Sequence, residues 1–454
     1  MALRSVNPCT GEIMKTFPPH SAAVIDASID AAHRALPVLK RMKPSERAEC
    51  LRRTADLLES RKGEFARLMT LEMGKPIKSA REEILKSARA CRFYGEEGIR
   101  LLADEPVATH AAHSYIRYDP LGVILAVMPW NFPFWQVLRC AAPALMAGNS
   151  VLLKHASSVP QCALAIHDLM SSCGLPEGSF QTLLIDASRV EGIIGDPRVR
   201  GITLTGSEPA GRSVAAAAGR MLKKTVMELG GSDPFIVLPG ADLATAAQTA
   251  VRARIINNGQ SCVAAKRFIV HNSVADEFYR LFIAGMSSLR IGDPMLEETE
   301  LGPIASEDLL RILDDQVRRA EKDGARILLG GKRLEGRGSF YAPTVIADVP
   351  GSSPAYREEF FGPVALLFRV GSLGEAISLA NDTPFGLGSS VWTQDPAEQE
   401  RAIAELEAGL VFINGMVASD PRMPFGGVKA SGYGRELGAA GLREFVNVKT
   451  VWVA

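Results

Sequence analysis

From Gly122 onward the chain repeats one unit: a short apolar run ending on a polar residue, proline or glycine, then a helical stretch, then another run. Val123 to Val127 stops at Pro129, Val151 to Leu153 at Lys154, Ile202 to Leu204 at Gly206, and Val226-Met227 at Glu228. Runs this short and this continuously apolar are buried on both faces. When helices alternate with them, they form a parallel sheet covered on both sides. The intervening helices carry their own punctuation. Pro160 opens one that closes at Gly174, and another spans Ala210 to Met221. The pattern resumes beyond Asp233 with Phe235 to Leu238, a helix from about Asp242, Arg267 to Val270, a helix from Val274, Arg326 to Leu329 and Val364 to Val370. The expected fold class is therefore α/β, with two parallel-sheet domains in series and a boundary near Gly231.

The flanks differ. The first hundred residues read mostly as helix. One amphipathic stretch opens at Pro44 with Leu51, Ala55 and Leu58 on one face, and a second runs from about Pro76 to Leu102. Thr109 to Asp119 is polar and β-prone, with Tyr115, Arg117 and Asp119 alternating against Ile116 and Tyr118, as in an exposed strand. Val446 to Val453 is also strand-like, with no obvious partner in its neighbourhood.

At 454 residues the chain has room for two or three domains. Lys plus Arg and Asp plus Glu both total 51, a balance that argues against nucleic acid or a membrane held by a basic surface. No apolar stretch reaches the roughly 18 residues of a membrane span, and the N-terminal residues lack a secretory pattern. Seven cysteines (9, 50, 91, 140, 162, 173 and 262) form no CxxC pair, and seven histidines form no HExxH. The expectation is a reduced, cytoplasmic protein with no disulfide framework and no metal.

Several residues stand out chemically. Cys262 ends Asn257-Asn258-Gly259-Gln260-Ser261, a small polar loop in which backbone N–H groups could favour a thiolate. A lone cysteine serves more often as a small buried hydrophobe. Glu228 ends an apolar strand before two glycines; it is either a solvated strand end or a partly desolvated general base. Asn131 lies between Pro129 and Pro133, as an Asx turn or as a fixed amide donor for an oxyanion. Leu204-Thr205-Gly206-Ser207 runs from a strand into a helix start whose N–H groups could receive a pyrophosphate. Lys154 could reach ribose or phosphate. Asn131, Lys154, Gly206 and Glu228 all follow successive strands at the ends where open α/β sheets bind ligands.

Seven segments in order then carry a resemblance: PWNFP (129–133), LK (153–154), TGS (205–207), MELGG (227–231), NGQSC (258–262), EEFFGP (358–363) and PFGGVKASGYGRE (424–436). Over nearly its whole length the chain resembles the aldehyde dehydrogenase superfamily. The resemblance implies that Cys262 is the nucleophile, Glu228 the general base and Asn131, with the Cys262 N–H, the oxyanion hole. It assigns Lys154 to the adenosine ribose, Glu359 to the nicotinamide ribose, Trp130 and Ser207 to the pyrophosphate, and Phe361 to the nicotinamide. Gly206, Leu229 and Gly230 complete the cofactor set. The implied domains are a dinucleotide-binding domain (1–102 and 121–231), a catalytic domain (232–430) and a small β oligomerisation arm (103–120 and 431–454). A homodimer or homotetramer is expected. CoA-acylating members generally lack the base, so Glu228 favours hydrolysis of the thioester to the acid.

Two features narrow the resemblance. Many NAD-preferring members carry Glu three residues after the ribose lysine. Here Ser157 stands there, which implies NADP used as well as or better than NAD. The KHAS segment and a single cysteine in GQSC are similar to bacterial succinate-semialdehyde dehydrogenases. This makes Arg139 and Ser419 candidate ligands for a substrate carboxylate. The alternatives are broader specificity for short aldehydes, glutarate semialdehyde among them, a binding protein that has lost turnover, or a cysteine hydrolase. No His lies in a motif that would pair Cys262 for the last.

Overall fold

Each apolar run becomes a strand of one of two sheets in the computed structural model, which describes residues 2–454. The first sheet has six strands in the order Gly432–Tyr433, Lys224–Glu228, Val199–Thr205, Val123–Met128, Ser150–His155 and Phe180–Thr182. All neighbours are parallel except Gly432–Tyr433, which runs antiparallel to Lys224–Glu228. Helices cover both faces. Leu51, Leu58, Ile84 and Leu138 pack with Val151 and Leu153 on one side, and Ile25, Ile29, Val190 and Val214 with Leu125 and Ile202 on the other.

From Val123–Met128 the chain first builds outward to Ser150–His155 and later returns on the opposite side as Val199–Thr205. The connections therefore diverge after Met128 and after Thr205, leaving the crevice that a topological switch point creates. Trp130, Asn131, Gly206 and Ser207 stand on its rims. Lys154 is beside Val127 in the ladder, and Glu228 beside Thr205.

The second sheet has seven strands: Arg326–Leu329, Thr344–Ala347, Val364–Val370, Ala265–His271, Asp233–Val237, Gly388–Trp392 and Leu410–Ile413. Only the Arg326–Leu329 edge is antiparallel to its neighbour. Phe235, Phe268, Phe278 and Phe282 form an aromatic cluster on one face, with adjacent ring centroids 4.6–6.5 Å apart.

The flanks hold two departures from the sequence reading. The helical N-terminal region does contain Ala22–Arg41, Pro44–Ser60, Lys62–Met73 and Ile77–Leu101, but a hairpin of Leu3–Val6 and Ile13–Phe17 precedes them. The arm is also narrower at its C-terminal end than 431–454. Gly432–Tyr433 joins the first sheet, because Gly432 packs where a Cβ would lie 1.9 Å from the Met227 carbonyl oxygen. Only Val446–Val453 pairs with His113–Pro120 and, through it, with Glu105–Pro106.

Candidate active site

The thiol loop is built from backbone that most residues avoid. Asn257 and Asn258 have φ of 56° and 59°, and Gly259 has φ of 75°. Asn tolerates this region because its short amide can bond locally. Asn257 Nδ2 donates to the carbonyls of Asn131 (2.7 Å) and Gln260 (3.0 Å). Asn258 Nδ2 donates to Gly74 and Pro303, and its Oδ1 accepts from Gly302 N. Two buried cations complete the clamp. Arg254 donates to the carbonyls of Gly259 and Ala265, and Lys266 to those of Ser261 (2.8 Å) and Cys262 (2.7 Å). Sequence reasoning missed all four of these supports.

Cys262, so held, forms part of the wall of a cavity of about 330 Å³. Its walls are largely apolar, with Phe132, Trp135, Phe425 and Val263 among them. Burial pushes the thiol up to about 12, against the pull of Lys266 and Arg139. The expected bias toward thiolate is therefore not a property of the resting loop, because burial outweighs both cations.

Asn131 is buried beside the loop and donates from Nδ2 to the Gln260 carbonyl at 3.0 Å. An amide nitrogen carries two protons, so one is left for an oxyanion. The segment holding Asn131 is fixed from below by His155. Its Nε2 bonds the Pro133 carbonyl at 3.0 Å, while Nδ1 accepts from Ala156 N. Burial draws His155 down to about 4, so it is a neutral structural strut.

Glu228 is buried against Gly426, next to Glu436 and Arg139 rather than on the cavity wall. Burial, reinforced by Glu436, holds its carboxyl well above the usual range. Neither oxygen has a hydrogen-bond partner. A carboxyl whose proton affinity is raised and whose oxygens are unrestrained becomes a general base once it has lost its proton.

Arg139 does reach the cavity, but its charge is already engaged. The side chain is buried, ion-paired through Nε to Glu436, bonded through Nη2 to Thr205 Oγ1 (3.2 Å), and stacked 4.7 Å from the Phe425 ring centroid. Ser419 is on the same wall, where Lys86 Nζ donates to its Oγ at 2.6 Å. Lys86 escaped the sequence reading. It belongs to a stripe of Ser79, Glu82, Glu83, Lys86 and Arg89 that one face of helix Ile77–Leu101 turns toward the cavity.

The remaining residues gather at the switch-point crevice. Ser207 caps helix Glu208–Arg220 with no side-chain cap bond, leaving its hydroxyl and the first-turn N–H groups for an anion. Lys154 is half-buried, with its pKa lowered by burial, and has no ion-pair partner among the described residues. Ser157 is exposed three residues on. Trp130 and Phe361 meet edge to face, with centroids 5.8 Å apart. Glu359 accepts from Gly231 N (3.2 Å), pairs with Lys266 (3.1 Å), and lies where a Cβ on Gly230 would sit 2.4 Å from Oε2. Leu229 N donates to the Ser431 carbonyl, and Gly206 N to that of Glu228.

The sequence profile of the aldehyde dehydrogenase family matches residues 1–451. The chain belongs to the aldehyde dehydrogenase family. A probable NADP(+) succinate-semialdehyde dehydrogenase of Synechocystis is 55% identical over 454 residues, all of both chains. The NADP(+) succinate-semialdehyde dehydrogenase 1 of Mycobacterium tuberculosis is 54% identical over 457 residues, again covering both chains fully. Among solved structures, the succinic semialdehyde dehydrogenase of Streptococcus pyogenes, in complex with NADP+, superposes with a TM-score of 0.97 at 36% identity over the full length of both. For an aldehyde dehydrogenase the crevice fits a dinucleotide: an unpaired lysine, a free N-cap hydroxyl and a glycine that only a missing Cβ permits. No helix among the described residues is long and apolar enough to cross a membrane.

Proposed function

We propose that this aldehyde dehydrogenase oxidises succinate semialdehyde to succinate with NADP. The observation that carries this reading is the cavity. A reactive thiol and a cationic wall share one small chamber with aromatic sides, which suits an aldehyde bearing a carboxylate a few carbons away. The names of the relatives point the same way. Ser157 supports NADP over NAD. A small exposed hydroxyl near the Lys154 charge leaves room for a 2′-phosphate that a carboxylate there would repel.

In this reading the Cys262 thiol first gives its proton to solvent; the resulting thiolate Sγ adds to the aldehyde carbon, and the oxygen's developing charge is met by Asn131 Nδ2 and the Cys262 N–H. The cofactor would be held by Lys154 and Ser157 at its adenosine end, by Trp130, Gly206 and Ser207 at the pyrophosphate, and by Leu229, Gly230, Glu359 and Phe361 at the nicotinamide, which supplies the hydride acceptor when bound. Glu228, once it has lost its proton, swings from its place beside Gly426 and takes a proton from a water whose oxygen attacks the Cys262 thioester carbon; the C–S bond breaks, releasing the acid and the Cys262 sulfur, which regains a proton. All seven cysteines are free, which fits a reducing cytoplasmic setting. Assembly as a homodimer or homotetramer through Val446–Val453 belongs to the same reading.

The test measures NAD(P)H formation by purified protein with succinate semialdehyde, glutarate semialdehyde and butanal, each with NADP and NAD. We expect the highest kcat/KM for succinate semialdehyde with NADP. A preference for butanal, or a large preference for NAD, would sink the corresponding half of the assignment.

A further inference from the structure

We propose that Lys266 is a positioning residue that links the thiol loop to the cofactor crevice. It fixes the carbonyls of Ser261 and Cys262, and its charge acts fully on the thiol only when Glu359 turns away from it to a ribose. This rests on the cofactor reading above, in which Glu359 faces the nicotinamide ribose.

Lys266 is the second residue of strand Ala265–His271 and is fully buried. A cation in that position is tolerated only where its protons and its charge are matched. The ammonium has three protons and three acceptors surround it: the carbonyls of Ser261 at 2.8 Å and Cys262 at 2.7 Å, and Glu359 Oε1 at 3.1 Å. The carbonyls carry no net charge, so Glu359 is the counter-ion. The other charged groups nearby do not replace it. Asp233, at the head of the neighbouring strand, forms no ion pair with Lys266 among the described residues, and burial raises its carboxyl to about 7, so it is only partly charged at neutral pH. Arg254, from helix Leu243–Ile255, is a second cation, bound to the carbonyls of Gly259 and Ala265. Arg267 is engaged by the carbonyls of Ser232, Leu379 and Ala380.

The two members of the pair differ in freedom. The Lys266 side chain is 0% exposed and that of Glu359 19%. Two peptide carbonyls pin the lysine. Apart from Lys266, the carboxylate is held by Gly231 N alone, at 3.2 Å, while its Oε2 lies over Gly230 and accepts no bond among the described residues. When the pair opens, the carboxylate is the part that moves, and the exposed side is the crevice.

The thiol feels both charges. Lys266 favours the Cys262 thiolate and Glu359 opposes it, and in the resting protein burial keeps the thiol neutral. Arg139 and Glu228 also face the thiol, but Arg139 is fixed on Glu436 and neither touches the crevice-side pair. Withdrawing the carboxylate removes the opposing charge and leaves a buried ammonium bonded to the cysteine's own carbonyl. A charge so poorly screened acts strongly on its neighbour. Such coupling is reciprocal: a deprotonated thiol and a carboxylate turned to the crevice favour each other.

The experiment measures the rate of Cys262 alkylation by iodoacetamide against pH, with Cys262→Ala as the blank for the other six cysteines. NADPH is the added nucleotide. It brings the ribose without the positive ring of NADP, which would act on the thiol directly, and its fluorescence reports binding. Without nucleotide, we expect Glu359→Gln to alkylate about 10-fold faster than wild type at neutral pH, the effect of one pKa unit. NADPH should bring the wild type toward that rate and should not accelerate Glu359→Gln further. Lys266→Met should be slower than wild type, and adding Glu359→Gln to it should change little. Glu359→Gln is a neutral isostere at a partly exposed site, so it decides the matter even if Lys266→Met fails to fold. A wild-type rate in Glu359→Gln would refute the proposal, as would an equal acceleration by Glu359→Gln in the Lys266→Met background. Failure of NADPH to bind the wild type would overturn the cofactor reading itself, and this inference with it.

Discussion

At the scale of single residues, the legible part of the site was the part carried by local motif. Cys262, Asn131 and Glu228 sit within short segments whose composition already marks them. Lys86 and Lys266 do not, and His155 and Glu436 lie within quoted segments without a role, because each has a partner that adjacent sequence cannot reveal. Lys86 and Ser419 are 333 positions apart, and nothing near either one announces the other. The same distant packing sets the proton affinities. Lys86 is drawn down to about 8, first by burial and then by Arg139, with Glu83 opposing. Below that pH the amine is charged, and above it the charge on this wall of the cavity is lost.

At the scale of elements, buried parallel strands were the easiest to read, since their continuous apolar runs need no knowledge of partners. Arg326–Leu329 and Val364–Val370 are read to the residue, whereas the run Phe235–Leu238 overlaps a strand that spans Asp233–Val237. The N-terminal hairpin was invisible because Leu3 and Phe17 are its only fully buried apolar residues, too few for a periodic signal. The thiol loop shows what local reading gets right without knowing why. Gly259 belongs to a loop legible as small and polar, and the structure shows what its size serves: a Cβ would lie 2.3 Å from the Gly362 carbonyl oxygen, at φ 75°. Gly362 ends the segment carrying Glu359 and Phe361, so the thiol and the nicotinamide-side residues rest directly on each other. Gly259→Ala combines a left-handed strain of about 1–3 kcal/mol with a backbone clash that must displace one segment or the other. A shift of about 1 Å costs on the order of 100-fold in rate when it misplaces a nucleophile. We therefore expect Gly259→Ala to lower kcat about 100-fold on charged and uncharged aldehydes alike, together with a reduced Tm. Wild-type kcat in this variant would show that the loop tolerates the shift.

At the scale of the whole molecule, one element lacks the burial that should justify it. Val446–Val453 is eight residues long, yet beyond Val446 every position except Val451 is exposed, Val448 by 58% and Trp452 by 47%. It bonds to His113–Pro120 along one edge and leaves the other edge unpaired. A three-stranded sheet of which one member spans only Glu105–Pro106 has little core of its own. Inside the chain the strand is held by the ladder, by Lys449 on Asp119, and by Trp452 against His110 at 4.7 Å. Surface ion pairs contribute only about 0–1 kcal/mol, so these contacts do not account for a flat, apolar-studded edge kept straight in solvent. A second copy pairing along that edge would account for it. Val448 and Trp452 lie four positions apart and so point to the same face of the strand. Replacing both with Glu puts two like charges where the copies would meet, and should shift the protein from a dimer or tetramer toward monomer in sedimentation velocity. The catalytic and cofactor residues lie on other elements, so turnover per subunit should persist at least transiently after dissociation. A wild type that already sediments as a monomer would leave this strand without the partner its exposed face calls for, and would refute assembly through the arm.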